Sequence, residues 1–152
     1  MAVDADAALA REFPPLVVPV ERGRLAFFAR ATGQTDPDYF DVDSAVAAGH
    51  PDLPVPPSFY FSLELERPDP FGWLTGLGVD LRRVLHGEQS FTYHALAYAG
   101  DTLTLTTRIS DVTVKKGGAL ELLTKLTEIT RDGTPIADAT SVIVVRNPEV
   151  RT

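Results

Sequence analysis

The sequence contains no cysteine, which excludes three kinds of chemistry at once. Without cysteine the chain cannot form a disulfide scaffold, use a thiol nucleophile or build a zinc site from thiolates. Basic residues are also few, since 14 lysines and arginines stand against 21 aspartates and glutamates and give a formal net charge of -7. A chain with this charge lacks the basic surface that binds nucleic acid or an anionic membrane, so neither is expected as a partner.

Long hydrophobic runs are missing as well. No apolar stretch approaches the ~18 residues that a membrane span requires. The residues after Met1, AVDADAALARE, are acidic rather than basic and then apolar, so they do not resemble a signal peptide. We therefore expect a cytoplasmic protein. The 152 residues, 44% of them hydrophobic, predict a single compact domain over residues 1–152.

The stretch from residue 85 to 105 carries the clearest strand signal and two of the three histidines. Within it Phe91 and Tyr93 alternate with Thr92 and His94, which is the period of a half-buried strand. The Ala-Gly-Asp sequence that follows predicts a turn, because glycine accepts a positive φ and aspartate can bond its own backbone. A second strand is expected directly after this turn.

The elements around this strand predict an α+β fold. Helices are predicted over residues 4–13, 21–32 and 42–48, and a buried helix over residues 58–66, although the alternation of SFYFSLELE also fits a strand. Long strands follow from residue 102, at 120–129 and at 136–145, with Asp132-Gly133 as the strongest hairpin turn. Helices first and antiparallel strands afterwards predict that the buried helix lies across one face of a single sheet.

Several motifs together resemble the MaoC-like dehydratases. They are the connector ATGQTDPDYF, the segment PPSFYFSLEL, and HGEQ followed by AGDTL and a last pair of strands. The resemblance covers residues 16–146. More narrowly, the chain resembles the N-terminal or FAS1-like dehydratase domain, including the non-catalytic type of subunit in (3R)-hydroxyacyl-ACP dehydratases. It implies a hot-dog fold, in which a long antiparallel sheet wraps around a central helix.

The resemblance also implies a reaction, the hydration of a trans-2-enoyl thioester or the reverse dehydration, at a site where two hot-dog units meet. Members with the full motif carry Gly-Asp-x-Asn-Pro-x-His in the connector, and the carboxylate and imidazole divide the proton transfers. Here Gln34 stands in place of the Asp and Tyr39 in place of the His. An amide does not take a proton at neutral pH, and a phenol with a pKa near ~10 is a poor base. The usual dyad is therefore absent.

Two other pairs are candidates for catalysis. His86 and Glu88 are expected to share a face, because alternate residues of a strand do so, and to form a substitute acid/base pair. The alternative is that they fix the dimer seam or the start of the strand. Some hot-dog thioesterases resemble this chain and use a carboxylate on the central helix to activate water, which makes Glu64 and Glu66 candidates. Glu66, next to Arg67, is expected instead to form a surface ion pair.

The resemblance gives five candidate substrate-binding residues. They are Asp36, Tyr39, Pro57, Phe59 and Phe61. The first two lie in the connector, and the other three lie at the predicted start of the central helix. The aromatic side chains there are candidates to line an acyl tunnel, and the alternative is that they belong to the ordinary core.

Three hypotheses for function remain open. The chain binds an acyl-CoA or acyl-ACP thioester while a catalytic MaoC-like subunit in a heterodimer supplies the missing Asp and His. Alternatively, a homodimer has its own activity, through His86 and Glu88 or through a thioesterase-like helix carboxylate. The third hypothesis is a non-catalytic acyl-thioester binding protein. No cofactor is implied, and three dispersed histidines give no metal-binding pattern. His50 and His94 are expected to have solvated structural roles.

Overall fold

One antiparallel sheet of five strands dominates the molecule. A computed structural model describes residues 2–150. The strands are β1 (Leu16–Pro19), β2 (Val84–Tyr93), β3 (Thr102–Lys115), β4 (Leu120–Arg131) and β5 (Thr134–Arg146). They lie in the order β1-β3-β4-β5-β2, so that β1 and β2 form the two edges. The predicted α+β fold class is confirmed.

The helices are short and precede the long strands. They are α1 (Ala5–Leu9), α2 (Arg22–Ala31), α3 (Val42–Ala47), α4 (Tyr60–Glu64) and α5 (Gly72–Gly76). The first helix, predicted over residues 4–13, is shorter than expected, and Ala8 is its buried residue. The small alanine side chain lets α1 lie close against β3. In residues 2–150 no helix is long and apolar enough to cross a membrane.

Residues 58–66, whose pattern fits either a helix or a strand, contain the helix α4. This helix packs on the inner face of the sheet. It is shorter than predicted because its flanks form tighter turns. The Phe59 N–H donates to the Pro56 carbonyl at 3.0 Å before the helix, and the Glu66 N–H donates to the Leu63 carbonyl at 3.1 Å after it. Prolines in both flanks limit further extension of the helix.

The hairpins follow the turn residues. Asp132 and Gly133 both have positive φ, 49° and 78°, and join β4 to β5. This is the mirror-image turn that the sequence predicts, and its twist matches that of the flanking strands. On β3 the residues Leu103, Leu105 and Ile109 are buried, as their alternation predicts.

Strand β4 turns polar side chains toward the interior. Glu121 and Thr127 are buried and alternate with Leu122 and Leu126, which lie on the outer face and are partly exposed. Lys125 is on the inner face with Glu121 and Thr127. The inner face of this strand also carries the buried residues Leu123 and Ile129, so it is mixed, whereas the usual inner face is apolar throughout.

Glu121 anchors both ends of the described chain. Its side chain is only 2% exposed. Oε1 accepts the N–H of Val3 at 2.8 Å, and Oε2 accepts the Nδ2–H of Asn147 at 2.8 Å. Both donors lie far from Glu121 in the sequence, so this one carboxylate joins the first and last described segments to the sheet.

We expect Glu121→Ala to lower the free energy of unfolding by about 2–4 kcal/mol, because it leaves two buried N–H donors without an acceptor. Urea denaturation with an unchanged slope measures this loss. Glu128→Ala is the matched control, since Glu128 is exposed on the same strand, and it should change the free energy by less than ~0.5 kcal/mol. Equal effects of the two substitutions would contradict the anchoring role.

Candidate functional site

The connector, residues 31–40, is the segment in which the full family motif has its catalytic dyad. Here its polar side chains form hydrogen bonds to its own backbone. Gln34 Oε1 accepts the N–H groups of Thr35 and Asp36, at 3.0 and 3.1 Å. Asp36 Oδ1 accepts the N–H of Asp38 at 3.0 Å and so caps the short 3-10 turn Pro37–Tyr39. The predicted substrate-binding residue Asp36 thus has a local structural role. These contacts explain how the loop folds without a carboxylate at position 34.

Tyr39 closes this turn and is partly buried. Burial first, and then the charges of Asp36 and Asp38, raise the pKa of Tyr39 above its ordinary value. Each cause disfavours the phenolate, so Tyr39 is an even weaker base here than a phenol in water. Neither of the two dyad positions, Gln34 and Tyr39, therefore holds a side chain suited to abstract a proton at neutral pH.

The prediction that His86 and Glu88 share a face was wrong. The register shifts between them, so that His86 lies opposite Ile143 and Glu88 lies opposite Val142. Ile143 and Val142 are consecutive residues of β5 and point to opposite faces of the sheet. His86 faces inward, toward α4, and Glu88 faces outward. Within one chain the two side chains therefore cannot act on the same substrate.

A bulge at Gly87 causes this shift. Two residues of the bulged strand then oppose one residue of its neighbour, which changes the face of every side chain that follows. Gly87 is also the residue that fits there, because a Cβ at this position would lie 2.8 Å from Val144 Cγ2 and 3.2 Å from the Val142 carbonyl oxygen. Glycine in the middle of a strand is the sequence signal for such a bulge.

A mostly apolar cavity of about 230 Å³ lies between α4, α5 and the inner face of the sheet. His86 is in its wall and stacks on Phe61, with ring centroids 5.0 Å apart and ring planes 25° apart. Phe61 is thus the predicted substrate-binding residue that lines this cavity. The remaining lining residues are Glu64, Leu65, Pro70, Phe71, Trp73, Leu74, Val84, Lys125, Ser141 and Ile143.

Glu64 brings a charge into this apolar wall. It is 6% exposed, and its Oε2 lies 3.3 Å from Nζ of Lys125, whose side chain is 13% exposed. Its Oε1 accepts a hydrogen bond from the hydroxyl of Thr127. The sequence pointed to Glu64 through its place on the central helix, but it gave no sign of Lys125 or Thr127. Their contribution depends on which face of β4 is buried.

A second apolar cavity, of about 360 Å³, lies beside the start of α4. Pro57 and Tyr60 line it, and the hydroxyl of Tyr93 donates to the Pro57 carbonyl at 2.8 Å. Burial raises the pKa of Tyr60 to about 12, so Tyr60 stays protonated. Phe59 is in the core, where its ring meets that of Phe28 edge to face at 5.2 Å. Phe59, a predicted substrate-binding residue, thus packs in the core and is not among the lining residues of either cavity.

The remaining candidates make local contacts. Glu66 forms its ion pair with Arg24 of α2 and not with Arg67, which was the predicted partner. Arg67 instead donates from Nη1 to the Pro14 carbonyl at 2.7 Å. His94 Nε2 lies 2.9 Å from Asp138 Oδ2 on the exposed side of the sheet, which suits its predicted structural role.

The described residues thus place the apolar walls at the cavities and leave the connector without the usual dyad. Gln34 and Tyr39 stand at the two positions where the full motif has Asp and His. Each cavity also has an imidazole in its wall: His86 lies in the first together with Glu64, and His94, which pairs with Asp138, lies in the second. The apolar walls are suited to hold an apolar chain.

Comparisons with known proteins agree with this fold. A family model described as "FAS1-like, dehydratase domain region" matches residues 7–139. A UPF0336 protein of Saccharopolyspora erythraea is 35% identical over 140 residues, which cover 91% of this chain and 88% of the relative.

Similarity to solved structures identifies the fold. The chain is similar to one in the HadBC (3R-hydroxyacyl-ACP dehydratase) complex from Mycobacterium tuberculosis, with a TM-score of 0.72 and 22% identity over 88% of this chain and 92% of that one. It is also similar to a MaoC-like dehydratase, with a TM-score of 0.79 and 19% identity over 93% of this chain and 43% of that one. Because the family match spans most of the sequence, this chain belongs to the FAS1-like dehydratase domain family and has the hot-dog fold of the MaoC-like dehydratases.

Proposed function

We propose that this chain is the substrate-binding, dyad-lacking unit of a two-unit hot-dog hydratase or dehydratase. The substrate is an acyl-CoA or acyl-ACP thioester, and the reaction adds water to a trans-2-enoyl thioester to give the (3R)-hydroxyacyl form, or removes it. The whole chain acts as one hot-dog unit. A partner unit supplies the carboxylate and imidazole that this connector lacks.

The observation that carries the proposal is the contrast between the connector and the cavities. Gln34 and Asp36 are engaged with their own loop, and the pKa of Tyr39 is raised. Two apolar cavities nevertheless flank the central helix and offer room for an acyl chain. A unit that binds substrate while another unit performs the proton transfers has this combination of features.

A free edge supports the pairing of two units. Strand β2 has ten residues and is an edge of the sheet, and edge strands with free N–H and C=O groups pair readily with another strand. The opposite edge, β1, has four residues and ends in Pro19, which lacks an N–H. The HadBC structure is a complex. The match to this chain covers 43% of the MaoC-like dehydratase chain, which leaves room there for a second unit.

The alternative in which His86 and Glu88 form an acid/base pair in one chain has little support. The bulge at Gly87 points the two side chains to opposite faces of the sheet. A thioesterase that uses a helix carboxylate remains distinguishable by its product, because hydrolysis releases a thiol and hydration does not.

The edge of β2 gives the first test. Leu85→Lys should weaken association of the units by about tenfold or more, since it places a charge in an apolar contact. Leu85 is 48% exposed on β2. Val17→Lys is the matched control, because Val17 is 61% exposed on the other edge strand. Sedimentation over a concentration series measures both variants, and a larger effect of Val17→Lys would exclude the β2 edge as the interface.

The chain alone should hydrate crotonyl-CoA at a rate close to the uncatalysed rate, because its connector lacks the Asp and His of the complete motif. A catalytic MaoC-like subunit added to it should restore turnover beyond that of the subunit alone. Loss of enoyl absorbance measures hydration, and a thiol reagent measures hydrolysis in the same sample. Strong hydration by the isolated chain would overturn the proposal, and thiol release would favour the thioesterase.

Restoring the motif tests the alignment of the connector. Gln34→Asp with Tyr39→His, in an Asp36→Asn background, should raise hydratase activity by ~10²-fold, the lower end of what positioned acid/base groups contribute. Asparagine at position 36 keeps the cap of the 3-10 turn and removes a charge that would raise the pKa of the new carboxyl.

Gln34→Asp alone or Tyr39→His alone should have little effect on activity, because one of the two proton transfers would still lack an acid or base side chain. The background variant Asp36→Asn alone is the control for folding and thioester binding. If the triple variant folds and binds thioester but stays inactive, the connector of this chain does not reach the reacting carbons.

A further inference from the structure

A basic groove lies at one end of the sheet, where β2 begins and β5 ends. Four cationic side chains line it: Arg82 and Arg83 in the short turn before β2, Lys116 in the turn between β3 and β4, and Arg146 at the end of β5. The volume of the groove is about 480 Å³, and none of the described residues that line it is acidic. The groove therefore concentrates positive charge in a chain whose net charge is -7.

Neutral groups hold Arg83 in place. Its Nε–H donates to the Arg146 carbonyl at 2.7 Å, and its Nη2–H donates to Oδ1 of Asn147. Asn147 is 5% exposed, and its Nδ2 donates to the Gly118 carbonyl at 2.9 Å and to Glu121 Oε2 at 2.8 Å. These bonds fix the amide of Asn147 and, through its oxygen, the direction of the Arg83 guanidinium.

The guanidinium of Arg83 still has N–H groups to offer. The bonds to Arg146 and Asn147 use two of its five donors. Within residues 2–150 the Nη1 atom makes no hydrogen bond, and it keeps accessible surface at the groove. A ligand in the groove can therefore reach it.

The second arginine of the groove is also held without a carboxylate. Arg146 donates from Nη2 to the Arg82 carbonyl at 3.4 Å. Arg82 forms an ion pair with Asp80. In the part of the chain that the structure describes, Arg83, Arg146 and Lys116 form no ion pair. Like charges in one groove repel each other, and a bound anion reduces this repulsion.

The carboxylates around the groove leave it positively charged. Asp80 is engaged with Arg82, and both oxygens of the buried Glu121 accept N–H groups on the far side of Asn147. Glu149 lies between two lining residues and forms no ion pair within residues 2–150. Three negative charges thus surround four positive ones, and the positive ones face the groove.

A phosphate group suits this arrangement. The planar fork of a guanidinium binds phosphate oxygens through two parallel N–H···O bonds, and two arginines from different strands approach such a group from two sides. The groove is also close to the 230 Å³ cavity, because Arg83 directly precedes Val84, which lines that cavity. An extended polyanion suits it less, since the net charge of the chain repels it.

We propose that this groove is a binding site for a phosphate group, and that Arg83 and Arg146 bind it. The inference goes beyond the proposed function and does not rest on it, because it concerns other residues and requires no acyl chain. Two sources share this chemistry. One is the free phosphate ion, and the other is a phosphate ester on a larger ligand, such as CoA or a phosphopantetheine arm.

Calorimetric titration of the full chain at low salt tests the site. The probes are sodium phosphate, adenosine 3′,5′-bisphosphate, which is the nucleotide part of CoA, and 4′-phosphopantetheine. Adenosine and pantetheine are the matched probes without phosphate. At least one phosphorylated probe should bind about tenfold or more tightly than its counterpart, or than chloride in the case of the free ion, as expected for hydrogen bonds between charged groups. Added salt should weaken this binding, because the groove is open to solvent.

Two variants identify the residues responsible. Arg83→Gln and Arg146→Gln should each weaken binding of the phosphorylated probe by about tenfold, because each removes one charged donor. Arg108→Gln is the matched control: it removes the same charge from an exposed position of β3 outside the groove, and it should change the affinity by less than about twofold. If Arg83→Gln fails to fold, Arg146→Gln decides, since the Arg146 side chain is exposed.

The outcomes also distinguish the two sources. Equal affinity for sodium phosphate and for both organic phosphates supports the site and assigns it to the free ion, whereas tighter binding of an organic phosphate assigns it to a larger ligand. If none of the three phosphorylated probes binds, or if binding survives both Arg83→Gln and Arg146→Gln, the proposal is overturned. The probes carry no acyl chain, so either failure leaves the proposed function intact.

Discussion

Much of the rest of the structure depends on the polar side chains that β4 places on the inner face of the sheet. Glu121 holds the first and last described segments against the sheet, whereas Lys125 and Thr127 hold the central helix through Glu64. A helix of five residues has little stability of its own, since helix formation becomes favourable only over longer segments. Its position must therefore come from tertiary contacts, and these polar contacts supply direction that apolar packing lacks.

The position of α4 in turn decides what the inner face of the sheet can bind. Where Tyr60 and Leu63 pack on the strands, the core is closed. On the side toward β2, the same helix turns Phe61 and Glu64 toward His86 and Lys125, and a cavity remains between them. A helix with only apolar contacts could slide and fill this space, but the bonds from β4 to Glu64 fix its register.

Periodicity and turn chemistry predicted most of the sheet, because each is decided by neighbouring residues. The alternation on β3 and the Asp132-Gly133 turn are of this kind. The faces of β4 are different, since Leu122 and Leu126 point outward while Lys125 points inward. Because apolar residues lie on both faces, with Leu123 and Ile129 on the inner one, alternation alone does not decide the face, and the contacts with α4 and both chain ends do. The Gly87 bulge is likewise set by the approach of β5, so sequence spacing placed Glu88 on the wrong face.

The connector keeps its local fold although the two residues of the usual dyad are absent from it. Its turn needs acceptors for backbone N–H groups near positions 34 and 36, and Gln34 and Asp36 provide them. An amide satisfies those N–H groups as well as a carboxylate would, so the loop can lose its general base and keep its shape. On the proposed function, the partner unit carries out the proton transfers, and this chain contributes the apolar walls on both sides of α4.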